Sequence, residues 1–431
     1  MRQERYHETE TFLTAIRDQY AGTGVLDMAA IEEGLLCALM SDGSKILEAF
    51  FDQHVPACAQ QRKDGERHYR KRHLQGHSVL GKLSLRRDYF YDGKQGRAPL
   101  DDLLGLKDGI TPGLQRLMSR AGAMSGSFEL ASDDLKAYSH LDVSGRSIQR
   151  MAAVIGPKMH SWLQNRDPTK PEPTPEVMYV SYDGTQVPTT KSETQGRKGK
   201  QPDGTSKGRE VKLGCVFTQL RTVAGELPDR DPDSTTYIAS FDESVDFGGI
   251  IRQEARLRGM AYVKKVVVLG DGAAWIWELA RVNFRNAIWI LDLYHAFEHV
   301  NDMAKLIYPN ESADTGHAKK WRKWLKADKI DRFIKEVAKL ADANPDKKDE
   351  IISALNYFIN NRDRMLYGTF RKAGYFVGSG VIEAGCKTVV GKRAKQSGMF
   401  WHIAGAHNVL ATRCAILGNL FDLYWKQQKA A

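Results

Sequence analysis

Three acidic residues occupy positions from which they could share one reaction. Asp183 and Asp271 each end a segment that is predicted to be a β-strand, and each is followed by glycine. Sites in open α/β sheets form just beyond the carboxyl ends of the strands, so we expect the two carboxylates to meet there. Glu383, at the predicted start of a helix much later in the chain, is the candidate third acid.

Carboxylates that are brought together repel one another unless a cation neutralises them, and hard oxygen ligands suit Mg²⁺ or Mn²⁺. Two such ions about 3.5–4 Å apart would activate a nucleophile and stabilise the leaving oxygen in a displacement at phosphorus. Each acid alone has an ordinary explanation, because Asp-Gly is a common turn and a glutamate near a helix start supports the helix dipole. The prediction therefore depends on the three acids occurring together.

The elements that would position these acids follow the order β-β-β-α-β-α-β between residues 177 and 292. The predicted strands are VMYVSYDGT, LGCVFTQL, TTYIASFD, KKVVVLGDG and NAIWILD, and the predicted helices are SVDFGGIIRQEARLRGM and AAWIWELARV. Three strands with short links, followed by strand–helix–strand crossovers, predict an α/β fold with a mixed sheet flanked by helices.

Composition divides the chain into segments. Residues 165–176 are rich in proline and nearly free of apolar side chains, which is typical of a linker. Residues 1–164 before it are predicted to form an α-rich domain for DNA binding and oligomerisation. After it, residues 177–300 contain the predicted strands, residues 301–374 are predicted to be all-helical, and residues 375–431 contain Glu383.

The formal charge of +10 favours a polyanionic partner. No apolar run reaches the roughly 20 residues that span a bilayer, so we expect no membrane partner. The polar start indicates no signal peptide, and the five cysteines form no C-x-x-C pair, so the cytoplasm is the expected location.

Basic side chains in three segments are candidate phosphate contacts. They are Arg62, Lys63, Arg70, Lys71 and Arg72, then Arg197 and Lys198, and finally Lys387, Lys392, Arg393 and Lys395. Trp401 is a candidate to stack on an unpaired base. The alternatives stay open, because a short charge run is commonly a solvated loop and a single tryptophan is commonly core.

Four segments resemble bacterial insertion-sequence transposases of the ISKra type, which belong to the DDE superfamily and have an RNase H-like core. They are YVSYDGTQVP, VVVLGDGAAWIW, ILDLYHAFEHV and GSGVIEAGCKTVVGKRAKQSGMFW. The resemblance covers about residues 177–417. It implies that residues 177–300 and 375–431 are the two parts of the catalytic core and that residues 301–374 are its helical insertion. It implies that Asp183, Asp271 and Glu383 are the catalytic acids and ligands of two Mg²⁺ ions per active site, with Mn²⁺ as the other option.

The resemblance also implies the reaction and its partners. The reaction would be strand cleavage at the ends of a DNA element and strand transfer into target DNA, so the partner is double-stranded DNA. A homodimer or larger assembly in the bacterial nucleoid is implied as well. His295 would support catalysis at the phosphate, although a histidine that satisfies a buried helix start is an equal alternative.

One departure from the family concerns zinc. Family members carry paired cysteines near the basic N-terminal segment, whereas Asp92 and Gln95 stand where a pair is expected here, and Cys58 is alone. The sequence leaves open whether the N-terminal domain holds any zinc.

Two alternative functions are weighed against the transposase. His295, Glu298 and His299 form H-x-x-E-H, the inverted zinc-protease motif, with both histidines on one helical face. That interpretation leaves Asp183 and Asp271 without a role and does not explain the basic charge. The other alternative is a domesticated DNA-binding protein without catalysis, against which the presence of all three acids argues.

Overall fold

The computed structural model describes residues 6–20, 27–199, 201–202 and 204–428. The chain divides into two compact units, Met1–Ala152 and Ala153–Ala431, each described here by itself. Lys200, part of the polar stretch 191–212, lies outside the described residues.

The described part of the first unit combines helices with a three-stranded antiparallel sheet of order β1-β2-β3. A small apolar core joins Phe51, Leu83, Leu85 and Leu106. The elements are α1 His7–Tyr20, α2 Met28–Asp52, α3 Val55–Ala59, β1 Arg67–Ser78, β2 Gly81–Tyr91, β3 Gly96–Arg97, α4 Pro99–Leu103, α5 Pro112–Met124, α6 Phe128–Ser139 and α7 Gly145–Asn165, which runs on into the second unit.

The basic block at residues 62–72 is a strand over most of its length, because β1 begins at Arg67 and pairs with β2. A bulge lies between Tyr69 and Arg72, where Lys71 has a φ of 52° and its N–H donates to Asp88 Oδ1 at 3.0 Å. From Arg67 onward the block is therefore a strand and not a loop, and its lysine and arginine side chains are exposed to solvent.

Asp92 closes the turn in which the family places a cysteine pair. Its Oδ1 accepts hydrogen bonds from the N–H groups of Lys94 at 2.8 Å and Gln95 at 2.7 Å. Cys58 is buried, and none of the described residues of this unit form a group of three His, Cys, Asp or Glu side chains that could hold a metal ion. Backbone hydrogen bonds to a carboxylate hold this turn.

The described strands of the second unit form a five-stranded mixed sheet of order β6-β5-β4-β7-β8, which is compatible with an RNase H-like fold. The first three strands pair antiparallel, whereas β7 and β8 pair in parallel. The predicted mixed sheet flanked by helices is thus confirmed. The strands are β4 Val177–Pro188, β5 Gly208–Gln219, β6 Thr236–Ser240, β7 Lys265–Gly270 and β8 Ile288–Leu291.

Helices flank this sheet, and two of them lie in the connections that lead to β7 and β8. The helices of the second unit after α7 are α8 Lys191–Thr194, α9 Ser244–Leu257, α10 Ala274–Asn283, α11 Leu293–Ile307, α12 His317–Lys326, α13 Ile330–Asp342, α14 Lys348–Asn360, α15 Tyr367–Lys372, α16 Gly380–Gly385, α17 Lys392–Ala394, α18 Ile403–Leu417 and α19 Phe421–Gln428. A π-helical turn, Cys386–Gly391, joins α16 to α17.

Residues 301–374, all of them described, contain helices and no strand, as the sequence predicts for the insertion. Its core is aromatic: the ring of Phe333 lies 5.3 Å from Trp321 and 4.6 Å from Phe358, measured between centroids. Among the described residues, every helix is too short or too polar to cross a membrane.

Candidate active site

A cavity of about 250 Å³ beyond the ends of β7 and β8 brings the predicted acids together. Asp183 comes from β4, Asp271 follows β7, and Glu383 comes from α16. The cavity is also lined by Tyr182, Gly270, Asp292, Tyr294, His295, Glu298, Ser379 and Ile382. Segments that are far apart in the sequence therefore present carboxylates to one space.

Asp183 does not end its strand, contrary to the sequence prediction. β4 pairs with β7 only as far as Ser181, but its pairing with β5 continues to Pro188 and places Asp183 opposite Leu213. Beyond Ser181, β4 and β5 continue as an antiparallel ribbon, and β6 remains paired with the other side of β5 as far as Lys212. Asp183 thus lies where one neighbouring strand has ended and the other continues, which opens one side of it to the cavity.

Two donors and two like charges determine the environment of Asp183. The N–H of Gly184 donates to its Oδ1 at 2.6 Å, and the thiol of Cys386 donates to its Oδ2 at 3.6 Å. Burial raises the pKa of Asp183, and repulsion from Asp271 and Glu383 raises this pKa further. Burial and the neighbouring Asp183 carboxylate raise the pKa of Cys386 to about 12, so its sulfur keeps the proton that it donates.

Asp271 is held through its loop. Its Oδ1 accepts the N–H of Ala273 at 2.9 Å, and its backbone oxygen accepts the phenol of Tyr357 at 3.1 Å. Gly272 has a φ of 102°, and a Cβ there would lie 2.7 Å from the Tyr357 ring and hydroxyl. Tyr357 belongs to α14 of the insertion, and the sequence alone did not indicate that it contacts this loop.

Glu383 reaches the cavity because α16 lies close against the sheet. A Cβ at Gly385 would come within 2.8 Å of Tyr237 and 3.1 Å of Leu213, the residue paired with Asp183. The hydroxyl of Ser379 donates to Glu383 Oε1 at 2.9 Å and orients the carboxylate. A glycine two residues after the glutamate therefore allows the third acid to approach the first.

Asp292 joins two helix starts. Its Oδ1 accepts the N–H of His295 at 2.6 Å, which caps α11, and its Oδ2 accepts the N–H of Ser379, just before α16. The residue is 1% exposed. Asp292 is therefore fully engaged in holding α16 beside α11, although it also lines the cavity.

The histidines of the H-x-x-E-H motif are engaged differently. The half-exposed His295 has its Nδ1 3.4 Å from Glu298 Oε2, whereas the ring of His299 stacks on Tyr357 at 3.8 Å. Burial and the neighbouring His295 lower the pKa of His299. His295 is thus the histidine that is available to the cavity.

The donor set at the cavity consists mainly of carboxylate oxygens, the ligands that Mg²⁺ and Mn²⁺ prefer. As they stand, the described residues contain no group of three His, Cys, Asp or Glu side chains close enough to hold a metal ion. This finding covers both the three acids and the H-x-x-E-H motif. The chemistry of the donors fits a hard cation, and the carboxylates must draw closer to share one.

Most of the candidate phosphate contacts are exposed side chains: Arg62, Lys63, Arg70, Lys71, Arg72, Arg197, Lys198, Lys387, Lys392 and Lys395. Arg393 and Trp401 are not. The guanidinium of Arg393 is fully buried, 4.9 Å from the ring centroid of Trp401, which is 7% exposed.

The assignment of Arg393 to phosphate and of Trp401 to a base is therefore corrected. The backbone N–H of Trp401 donates to the backbone oxygen of Pro188 at 3.1 Å, so its segment pairs with the end of β4. The indole of Trp401 points inward. Phe400, which the sequence did not single out, is the exposed aromatic residue beside it, at 62%.

No protein-family model matches the chain, and no curated protein matches its sequence. Among solved structures, the Drosophila P element transposase strand transfer complex is similar with a TM-score of 0.24 and 9% identity, over 73% of this chain and 80% of that chain. A likeness of this size leaves the function to be argued from the site.

Proposed function

We propose that this protein is a DNA transposase of an insertion sequence, which cleaves DNA strands at the element's ends and transfers them into target DNA with two divalent ions. The observation that carries the proposal is the single cavity shared by Asp183, Asp271 and Glu383. Asp183 lies on β4, Asp271 in the loop after β7 and Glu383 on α16. They are the three residues that the resemblance implies as catalytic acids.

The three carboxylates would hold the ions, Mg²⁺ or Mn²⁺. The bound ions would supply an activated oxygen nucleophile and a counter-charge for the leaving oxygen. The raised pKa of Asp183 supports a cation here, because a positive charge would relieve the repulsion from the other two acids.

The chain's own groups prepare the acids for this role. The Cys386 thiol and the Gly184 N–H orient Asp183, the Ala273 N–H orients Asp271, and the Ser379 hydroxyl orients Glu383. His295 lies at the same cavity with a half-exposed ring, so its side chain can donate a hydrogen bond to the phosphate being attacked.

The experiment uses the full chain, supercoiled plasmid and Mg²⁺ or Mn²⁺. The wild type should nick the plasmid only with the divalent ion, and Asp271→Asn should lower the rate by at least about 100-fold. Asp246→Asn, an exposed aspartate on α9, is the matched control and should keep the wild-type rate.

Two outcomes separate the alternatives. Equal nicking by the wild type and Asp271→Asn would favour a DNA-binding protein without catalysis. Nicking without joined products from labelled element ends would indicate a nuclease that does not transfer strands. The zinc protease is disfavoured because the His299 ring is stacked on Tyr357.

A further inference from the structure

The helical pair α12–α13 carries a basic surface that the proposed chemistry does not use. We call it the basic ridge and define it as Lys320 and Trp324 of α12 with Arg332, Lys335 and Lys339 of α13. The three cationic side chains of α13 in this ridge are exposed, and Lys320 of α12 lies at the seam between the two helices.

The helix period places the three cations of α13 together. Ile330, Phe333, Val337 and Ala341 are buried and define the face that packs into the insertion. At 3.6 residues per turn, Arg332, Lys335 and Lys339 fall on the face directly opposite. These cations therefore point away from the buried core of the insertion.

Trp324 joins the two helices at the ridge. Lys320 Nζ lies 5.1 Å from its ring centroid, and the guanidinium carbon of Arg332 lies 4.4 Å from the same centroid. Such cation–π contacts are attractive because the face of an aromatic ring carries partial negative charge. They hold the seam between the helices and place Arg332 at the start of the row.

The positive charge of the ridge is largely uncompensated. A groove of about 440 Å³ is lined by Arg332, Lys335, Glu336 and Lys339. Its one carboxylate, Glu336, already pairs with Lys320 at 2.6 Å and accepts the Trp321 indole N–H at 2.9 Å. Within the described part of the chain, Arg332, Lys335 and Lys339 have no ion-pair partner.

We propose that the basic ridge binds the phosphate backbone of duplex DNA. This inference rests on the proposed function, which makes DNA the substrate. The seven steps of the helix from Arg332 to Lys339 rise about 10 Å, and duplex DNA carries one charge per roughly 1.7 Å of its axis. The row of cations thus matches several successive phosphates. The described residues on the exposed face of α13 include no large apolar side chain, which disfavours a protein partner.

The test compares two full-length triple variants with the same loss of charge. The ridge variant is Arg332→Gln/Lys335→Gln/Lys339→Gln. The control variant is Arg252→Gln/Arg281→Gln/Arg285→Gln, which removes three exposed cations from α9, from α10 and from the residues after α10. Lys335→Gln/Lys339→Gln is a further variant that leaves the Arg332–Trp324 contact intact in case the triple variant folds poorly.

Binding to a labelled duplex is measured by fluorescence anisotropy at 50, 100 and 200 mM salt. The ridge variant should bind about 10- to 100-fold more weakly at 100 mM salt, and its slope of log affinity against log salt should be shallower by about 2–3. The control should stay within about threefold of the wild type. Equal behaviour of the two triple variants would overturn the proposal.

Two further readouts separate this inference from the proposed function and from a second occupant. Plasmid nicking by the wild type tests the reaction, and DNA affinity tests the ridge, so either can fail alone. Sedimentation tests whether a second copy of the chain covers the ridge instead. Loss of self-association in the ridge variant with intact DNA affinity would refute DNA binding there.

Discussion

The phenol of Tyr357 donates a 3.1 Å hydrogen bond to the backbone oxygen of Asp271, so a helix of the insertion holds the loop of a candidate metal ligand. The same ring stacks on His299 and lies against Gly272. Tyr357 therefore connects the insertion to the candidate site, and we expect it to act on the reaction through the position of Asp271.

Tyr357→Phe is expected to weaken the proposed activity without unfolding the protein. Loss of one such hydrogen bond costs about 0.5–1.5 kcal/mol, or roughly 2- to 10-fold if the full effect is felt in the transition state. Nicking rates measured against Mg²⁺ concentration should show a higher requirement for Mg²⁺. Tyr308→Phe, in the same insertion, serves as the control, and identical Mg²⁺ curves for both variants would count against this positioning role.

Asp183→Asn should abolish nicking and yet leave the metal-free protein as stable as the wild type or more stable. The pKa of Asp183 is raised in the folded state, so its ionisation opposes folding as the pH rises above the carboxylate range. Asparagine removes that penalty. Thermal unfolding in EDTA at pH 7.5 compares the stability of Asp183→Asn with that of the wild type. A clear loss of stability in the variant would show that Asp183 supports the fold.

Asp292→Ala should do the reverse and destabilise the protein. It removes the cap of α11, worth about 1 kcal/mol, and leaves the buried N–H of Ser379 without its acceptor, worth about 1–3 kcal/mol. Urea unfolding should report a loss of roughly 2–4 kcal/mol. A variant as stable as the wild type would mean that Asp292 is not the link between α11 and α16.

Gly272→Ala should destabilise the Asp271 loop by about 2 kcal/mol or more. A φ of 102° is unfavourable for alanine, and its Cβ would lie 2.7 Å from Tyr357. Gly249→Ala on α9 is the control, because its Cβ would meet nothing within 4 Å, and it should be neutral or stabilising. Comparable urea midpoints for the two variants would contradict the tight packing at Gly272.

Stability should fall between pH 7 and pH 5 because of a histidine pair on α7 and α18. The rings of His160 and His407 lie 4.2 Å apart, and burial with the nearby His407 lowers the pKa of His160 to about 4. The unfolded chain takes up the proton at a higher pH than the folded chain, so acid favours unfolding. Because His160 is only half-buried, we expect an effect of about 1 kcal/mol.

His160→Gln should reduce the difference in unfolding free energy between pH 7 and pH 5, measured by urea titration. His402→Gln, at an exposed imidazole, is the control. An unchanged pH dependence in His160→Gln would show that other groups produce the acid sensitivity.

Local patterns were sufficient for the sheet and for part of the site. The buried, β-branched run at residues 266–269 identifies β7, and Asp271 follows directly from its end. Such a pattern predicts where a strand runs, but not which neighbour continues beside it. For that reason Asp183 was expected at a strand end, although β5 carries β4 on to Pro188.

The remaining differences come from packing between distant segments. Arg393 and Trp401 look like nucleic-acid contacts in a basic stretch. In the fold a backbone hydrogen bond ties Trp401 to Pro188, and the guanidinium of Arg393 is buried against the Trp401 ring. Tyr357 reaches Asp271 across 86 residues. No periodicity within a segment carries information on contacts of this kind.

The ribbon that carries Asp183 has a mechanical consequence. Asp271 follows a strand that is paired on both sides, whereas β4 beyond Ser181 is paired only with β5. Displacing a segment that is paired on one side only breaks fewer backbone hydrogen bonds than displacing an interior strand, so the carboxylate of Asp183 has a more compliant support than that of Asp271. We expect the distance between these two carboxylates to shorten by a displacement of this part of β4, with the centre of the sheet left undisturbed.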